Sequence, residues 1–397
     1  MHTLSVALKA PATEMAQEEI TKQVAFLAAG ISNVRFSADG ASIFFDNAGE
    51  RSEAQTADLA NRAAELGNRM NRALRNLERK LVFQSSAAKA PSFAHSPFQT
   101  GDPVHGIHFL GIGQVALFGI PLRIFRYFDR IFTEFGVHWN AEAFHTPTLI
   151  PSTTLSRCDY FRSFPQNVTF AGHLREDAQL IEEFRARHQD LDHVDHLALG
   201  DMATPEACLS PAVCYHCYGF HANQTLPDSG TVYTICGKCF RYESSNITDL
   251  RRLWDFTMRE VVFAGGRDYV LAEREKSIEL MQVILEDLQL AGEIRTASDP
   301  FFIAPDAVSK TYFQLRSDSK FEMSLMLPNN ERVAVGSHNY HSDFFGKAFN
   351  TDIVDAGPMH SVCVAWGLER WTYAFLVQHG IDPTRWPDAI RKAPEFA

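Results

Sequence analysis

The sequence predicts an α+β fold, an antiparallel sheet flanked by helices, with a small α/β unit ahead of it. Three stretches carry that reading. Tyr233 to Glu243 and Trp254 to Phe263 are rich in β-branched and aromatic residues, and the polar insert Ser244 to Arg252 separates them. This is the pattern of two antiparallel strands joined by a long loop. From Gln55 to Phe83 the residues Leu59, Ala63, Leu66, Met70, Leu74, Leu77 and Leu81 recur at three- and four-residue steps, the period of a long amphipathic helix. Ser85 to Pro103, rich in Ala, Pro and Ser, reads as a linker between the two. The expected organisation is an accessory α/β domain over 1–84, a linker over 85–104 and one large domain over 105–397.

The remaining elements follow in order. A short helix around Glu14 to Leu27 precedes strand-like Asn33 to Phe36 and Ala41 to Phe45, with Asp39-Gly40 marking a hairpin. Gln114 to Gly136 predicts an apolar helix interrupted near Gly119 and Pro121, and Trp139 to Pro151 is extended. Cys158 to Phe170 predicts a short aromatic-rich helix and turn, and Arg175 to Leu199 a charged, exposed helix. Ala272 to Gly292 is amphipathic, while Lys320 to Leu327 and Glu331 to Ser337 are strand-like.

A chain of 397 residues with 45% hydrophobic and 21% charged residues has the composition of a globular protein with ample core. The formal charge of −11 argues against a broad nucleic-acid surface, which needs clustered Lys and Arg. The N-terminus lacks a basic start followed by an apolar core, and no apolar run reaches about 18 residues. Seven cysteines in such a chain point to reduced thiols and metal ligands, so a cytoplasmic protein without a membrane span is expected.

Arg241 and Glu243 lie two positions apart and therefore on one face of their strand, with Phe256 and Glu260 on the next. Arginine grips phosphate through a planar fork, and an aromatic ring offers a flat surface to a base. The pattern Phe240-Arg-x-Glu243, loop, Phe256-x-x-x-Glu260 resembles motif 2 of the class II aminoacyl-tRNA synthetases. Cys363 to Arg370, ending in Gly-x-Glu-Arg, resembles their motif 3, and the helix before Pro147 and Pro151 resembles motif 1, which in that family lies at the dimer interface. The resemblance implies a class II synthetase-type sheet and a homodimer.

Cys214-x-x-Cys217 and Cys236-x-x-Cys239, 18 residues apart, have the spacing of a structural four-cysteine zinc site. A second arrangement is implied by resemblance to archaeal-type seryl-tRNA synthetases and to the small amino acid:carrier-protein ligases related to them. Those enzymes hold zinc by Cys, Glu and Cys, and the matching positions are Glu260, Cys363 and, on the strand expected before motif 2, either Cys214 or, as second choice, Cys217. Three protein ligands leave zinc an open position, which the α-amino group of an amino acid can fill. His216, His221, His338, His341 and His360 are further candidates.

The same resemblance implies that Arg241 holds the α-phosphate of ATP and Arg370 the γ-phosphate, with Mg²⁺ beside them. Phe256 stacks on adenine and Glu243 accepts from its amino group, while Arg252 and Glu369 complete the nucleotide site. Ser337 and Asn339, in a polar cluster before motif 3, are placed near the amino acid. Forming an adenylate needs alignment and positive charge more than acid-base help. Tyr160-x-x-Ser-Phe-Pro165 is similar to a run in the carrier-protein ligases, which adenylate a small amino acid and pass it to the phosphopantetheine thiol of a carrier protein. A seryl-type tRNA ligase with a diverged arm, or a non-catalytic amino-acid sensor, are the alternatives. The single long helix near the N-terminus, the 27 residues after Arg370 and the acidic charge disfavour tRNA as acceptor.

Overall fold

The computed structural model describes residues 2–93, 104–243, 247, 249–299 and 307–396. Part of the expected linker and of the motif 2 loop lies outside these residues.

The fold is organised by one eight-stranded sheet. Its strands, in chain order, are β1 (Leu81–Gln84), β2 (Glu142–Ala143), β3 (Thr231–Phe240), β4 (Asp255–Gly265), β5 (Gly292–Thr296), β6 (Lys320–Met326), β7 (Arg332–Tyr340) and β8 (His360–Gly367). They lie side by side as β1-β5-β6-β7-β8-β4-β3-β2, antiparallel except where β2 joins β3. The two motif 2 runs are the pair β3 and β4, in register from Thr231 opposite Ala264 to Phe240 opposite Asp255.

Alternation along the strands separates two faces. Val261, Phe263, Val364 and Trp366 point to one side, where helices Gly119–Val137, Arg267–Asp287 and Leu368–His379 close a core with Phe128, Phe132, Trp371 and Phe375. Phe132 stacks on Trp366 with ring centroids 4.5 Å apart and planes 4° from parallel. Phe132 is fully buried, so Phe132→Ala is expected to cost about 3–5 kcal/mol, read as a lower urea midpoint at unchanged slope. Ile235, Cys239, Met258, Val262, Cys363 and Ala365 point the other way and carry a second, smaller cluster with Tyr218 and Phe345.

The N-terminal unit is a three-stranded antiparallel sheet of His2–Ala7, Ile31–Phe36 and Ser42–Asn47 under helices Glu14–Val24 and Glu53–Leu74. Ile20, Val24, Ile43, Phe45, Leu59 and Met70 form its core, and Leu315 of helix Ala307–Arg316 packs into it. The long helix starts on a capping box between Ser52 and Gln55 and ends at Leu74, not at Phe83. The apolar period continues through Leu81, but Leu81–Gln84 instead forms β1 and pairs with β5.

Two other elements differ from the sequence reading. Gln114–Leu117 pairs with Ile107–Gly111 as a hairpin, and the helix begins only at Gly119, with Pro121 in its first turn, where the missing N–H costs nothing. The charged helix spans Ala178–His188, capped by the Asp177 carboxylate, and does not extend to Leu199.

Candidate active site

The register of β4, β7 and β8 gathers the first group of predicted residues. Cys363 pairs with Val262 on one side and with Asn339 on the other, while Ala365 pairs with Glu260 and Ser337. Paired residues project from the same face, so Glu260, Cys363, Ser337 and Asn339 share one small area. Cys214 reaches that area from above. It opens helix Cys214–Phe220, not a strand as its sequence context suggests. The helix comes close because Gly237 of β3 has no side chain: a Cβ there would meet Val213 at 2.9 Å.

The ligand atoms of Cys214, Glu260 and Cys363 all lie within 4.8 Å of one another, and among the described residues no other group of three or more His, Cys, Asp or Glu does so. All three are buried. Cys217 is buried one helical turn further on and stays outside the cluster. Cys236 and Cys239 cannot join Cys214 and Cys217 in a four-cysteine site. They are three positions apart on a strand, so Cys236 faces the helical core and Cys239 the opposite one.

The chemistry of the cluster fits a bound cation. Both carboxylate oxygens of Glu260 are buried, and among the described residues no N–H or O–H donates to them. Burial, with the charge of Cys363 next to it, pushes the Glu260 carboxyl well above the usual carboxylate range. The Cys363 thiol is held well below its ordinary value by hydrogen bonding from Cys214 and by His341 and Asn339. Asn339 Nδ2 is 3.4 Å and His341 Nε2 3.7 Å from Cys363 Sγ. Three acids therefore crowd one dry space, and only a cation lets all three ionise together. Two sulfurs and one carboxylate are a donor set that suits zinc.

The second group lies at the far end of β3. Arg241 follows the strand, its N–H donating to Trp254 O at 3.0 Å and its Nε to Pro211 O at 2.9 Å. Its guanidinium sits 5.5 Å from the centroid of Phe256. The Glu243 carboxylate pairs with Arg252. Burial would raise Glu243, but the guanidiniums of Arg252, Arg370 and Arg241 outweigh it and hold the carboxyl below its ordinary range. Arg370 is anchored through carbonyls, Nε to Arg251 O at 2.7 Å and Nη1 to Ala334 O at 3.0 Å. Arg241, Glu243, Arg252, Phe256 and Arg370 thus come together. Glu369 sits behind them, both oxygens accepting from Thr257 N–H at 2.9 Å.

Ser337 Oγ accepts from Asn339 Nδ2 at 2.9 Å. His341, the last residue of the polar cluster that begins at Ser337, completes that row, as period-two alternation from Ser337 requires. It also lies 3.3 Å from Tyr218 OH and 3.0 Å from Ser361 Oγ. His338 points to the helical side and bonds Ser277, and His216, His221 and His360 bond Ser210, Gln224 and Tyr340.

No family model matches the chain. It is 36% identical over 260 residues to an amino acid–acyl-carrier-protein ligase of Bradyrhizobium diazoefficiens, covering 64% of this chain and 74% of that protein. The chain belongs to the amino acid–acyl-carrier-protein ligase family. A second ligase of this family from the same organism is 33% identical over 256 residues, covering 63% of this chain and 75% of that one. A type-2 serine–tRNA ligase of Methanococcus aeolicus is 24% identical over 322 residues, 78% of this chain and 61% of that enzyme. Among solved structures, the M. kandleri seryl-tRNA synthetase crystallised with A. aeolicus tRNA matches with a TM-score of 0.69 at 18% identity, covering 98% of this chain and 76% of that one. The carrier-protein ligase fold seen here is therefore the class II synthetase fold that motifs 2 and 3 predict, and this member is a ligase. No helix among the described residues is long and apolar enough to cross a membrane.

Proposed function

We propose that this ligase uses ATP to convert a small amino acid into an aminoacyl adenylate and then passes the aminoacyl group to the phosphopantetheine thiol of a carrier protein. The observation that carries the reading is the convergence of Cys214, Glu260 and Cys363 on the sheet face that also presents Arg241, whose charge bears on Glu260. Cys214, Glu260 and Cys363 would hold one zinc ion per subunit. Bound there, zinc supplies an electrophilic position for the amino acid's free amine.

The chain's own residues do the rest. Arg241 grips the α-phosphate and Arg370 the γ-phosphate, with Mg²⁺ accompanying ATP. Phe256 stacks on adenine, already paired with the Arg241 guanidinium, and Glu243 accepts from the adenine amino group. Arg252, which pairs with Glu243, would add its charge to the phosphates. Glu369 serves the nucleotide site by fixing the Thr257 backbone, and Ser337 and Asn339 line the amino-acid side. An oxygen of the substrate carboxylate forms a bond to the α-phosphorus as the bond to pyrophosphate breaks. The carrier thiolate then attacks the carbonyl carbon and AMP leaves.

A homodimer formed around the Ile107–Leu117 hairpin and the Gly119–Val137 helix belongs to this reading, supported by Leu110 and Ile112, which are 70% and 69% exposed. So does a cytoplasmic location. The net charge of −11 argues against tRNA as acceptor.

Pyrophosphate exchange tested across the amino acids, followed by mass spectrometry of a phosphopantetheinylated carrier protein, checks the proposal. Exchange with a small amino acid and a carrier heavier by one aminoacyl group is expected. Charging of tRNA without carrier loading would overturn the acceptor.

A further inference from the structure

One partly buried charge pair on the site face has no part in the scheme above. Lys320 opens β6, and its register partner is Asn339, so it projects from the same face as Asn339 and Cys363. Cys363, Asn339 and Lys320 form a row across three strands spaced about 4.8 Å apart. The Lys320 ammonium, its side chain only 12% exposed, pairs with Asp299. Asp299 is itself fixed, its Oδ2 accepting from Gln314 Nε2 and its N–H donating to Gln314 Oε1, both at 2.7 Å. Burial pushes Asp299 up, yet Lys320 and Gln314 outweigh it and bring its carboxyl down to about 2. The charge of Arg241 bears on both partners. An ammonium has three N–H donors, and one carboxylate leaves two of them for another oxygen.

We propose that Lys320 is a further substrate-binding residue, holding the carboxylate of the amino acid in line with the phosphate at Arg241, with Asp299 fixing the ammonium. The inference rests on the adenylation reading. Lys320 keeps its proton throughout. A carboxylate oxygen forms the bond to the α-phosphorus, the electron pair of the broken P–O bond leaves with pyrophosphate, and the Lys320 hydrogen bonds pass to the carbonyl oxygen of the adenylate.

The N-terminal unit braces this pair from behind. Ser298, next to Asp299, donates to Glu19 Oε2 at 2.6 Å, and Glu19 is 2% exposed. Glu19 also pairs with Lys22 and Arg79, each at 2.8 Å. Arg79 donates in turn to Thr296 O at 2.9 Å, and Thr296 N–H donates to Lys80 O while Lys80 N–H donates to Thr296 Oγ1, both at 2.9 Å. Glu19 is therefore a positioning residue for Asp299 and Lys320. This gives the N-terminal unit a task in amino-acid binding.

Amino-acid-dependent pyrophosphate exchange by the full chain tests this, with KM for the amino acid and for ATP measured separately. In Lys320→Met the amino-acid KM is expected to rise about tenfold or more, the size of a lost charge-assisted hydrogen bond, with ATP KM within about twofold. Glu19→Gln is expected to raise the same KM by less. Lys320→Arg keeps the charge pair with Asp299 and is expected to fold as the wild type while still raising the amino-acid KM, because its planar fork misplaces the donors. An unchanged amino-acid KM in these variants, or a rise in ATP KM alone, overturns the inference while leaving adenylation standing. A wild type without exchange for any amino acid overturns both.

Discussion

Cys363→Ser and Glu260→Gln are each expected to abolish zinc binding at the proposed site and to lower amino-acid-dependent pyrophosphate exchange by more than about 100-fold, since loss of an outer partner of a metal ligand alone costs about 10- to 100-fold. Glu260 makes the sharper case. It is fully buried on β4, and among the described residues neither oxygen accepts from an N–H or O–H group, an arrangement that is unfavourable without a cation. A chelator should therefore lower the melting temperature of the wild type and leave that of Glu260→Gln almost unchanged, because the amide no longer needs a counter-charge. Metal content by elemental analysis and melting curves with and without chelator check the pair of outcomes. A Glu260→Gln protein that keeps its metal and its exchange rate would remove Glu260 from the site.

Arg241→Ala is expected to reduce exchange by about 10² to 10³, the usual effect of deleting a donor to charge that develops in a transition state. Arg241→Lys should recover little of it. The guanidinium is held by Pro211 O through Nε and lies against the Phe256 ring, and a lysine ammonium reproduces neither the fork nor the planar stacking. Arg370→Ala should act in the same direction. Its two carbonyl contacts, to Arg251 and Ala334, also hold the loop after Asp249 against β7, so ATP KM is expected to rise in that variant as well. Steady-state exchange with ATP and amino acid varied in turn distinguishes the two arginines.

The parts of this site that the sequence showed are those written into short local patterns. A strand that ends in Phe-Arg-x-Glu and a strand-to-helix turn at Gly-x-Glu-Arg carry their chemistry within a few residues, and both lie where those patterns place them on β3, β4 and β8. The metal cluster was legible only because Glu260 and Cys363 stand at fixed points of the same motifs. Local spacing favoured the two Cys-x-x-Cys pairs instead, and strand alternation sends Cys236 and Cys239 to opposite faces. Lys320 and Asp299 gave no signal, since a charged residue at a strand end looks like a solvated one until its register partner is known. β1 was hidden for a related reason. Leu77 and Leu81 prolong the helical period of Glu53–Leu74, and only the free edge of β5 turns Leu81–Gln84 into a strand.

In the proposed mechanism three residues distant in sequence hold one metal, which receives the amino acid's amine beside Arg241 and Arg370 on ATP. A zinc-edge anomalous difference map of crystals soaked with a non-hydrolysable aminoacyl-adenylate analogue tests it most directly. One peak is expected among Cys214, Glu260 and Cys363, with the analogue's amine at the peak and its phosphate-like group at Arg241. A peak at Cys236 or Cys239, or an analogue whose amine turns away from Glu260, would contradict it.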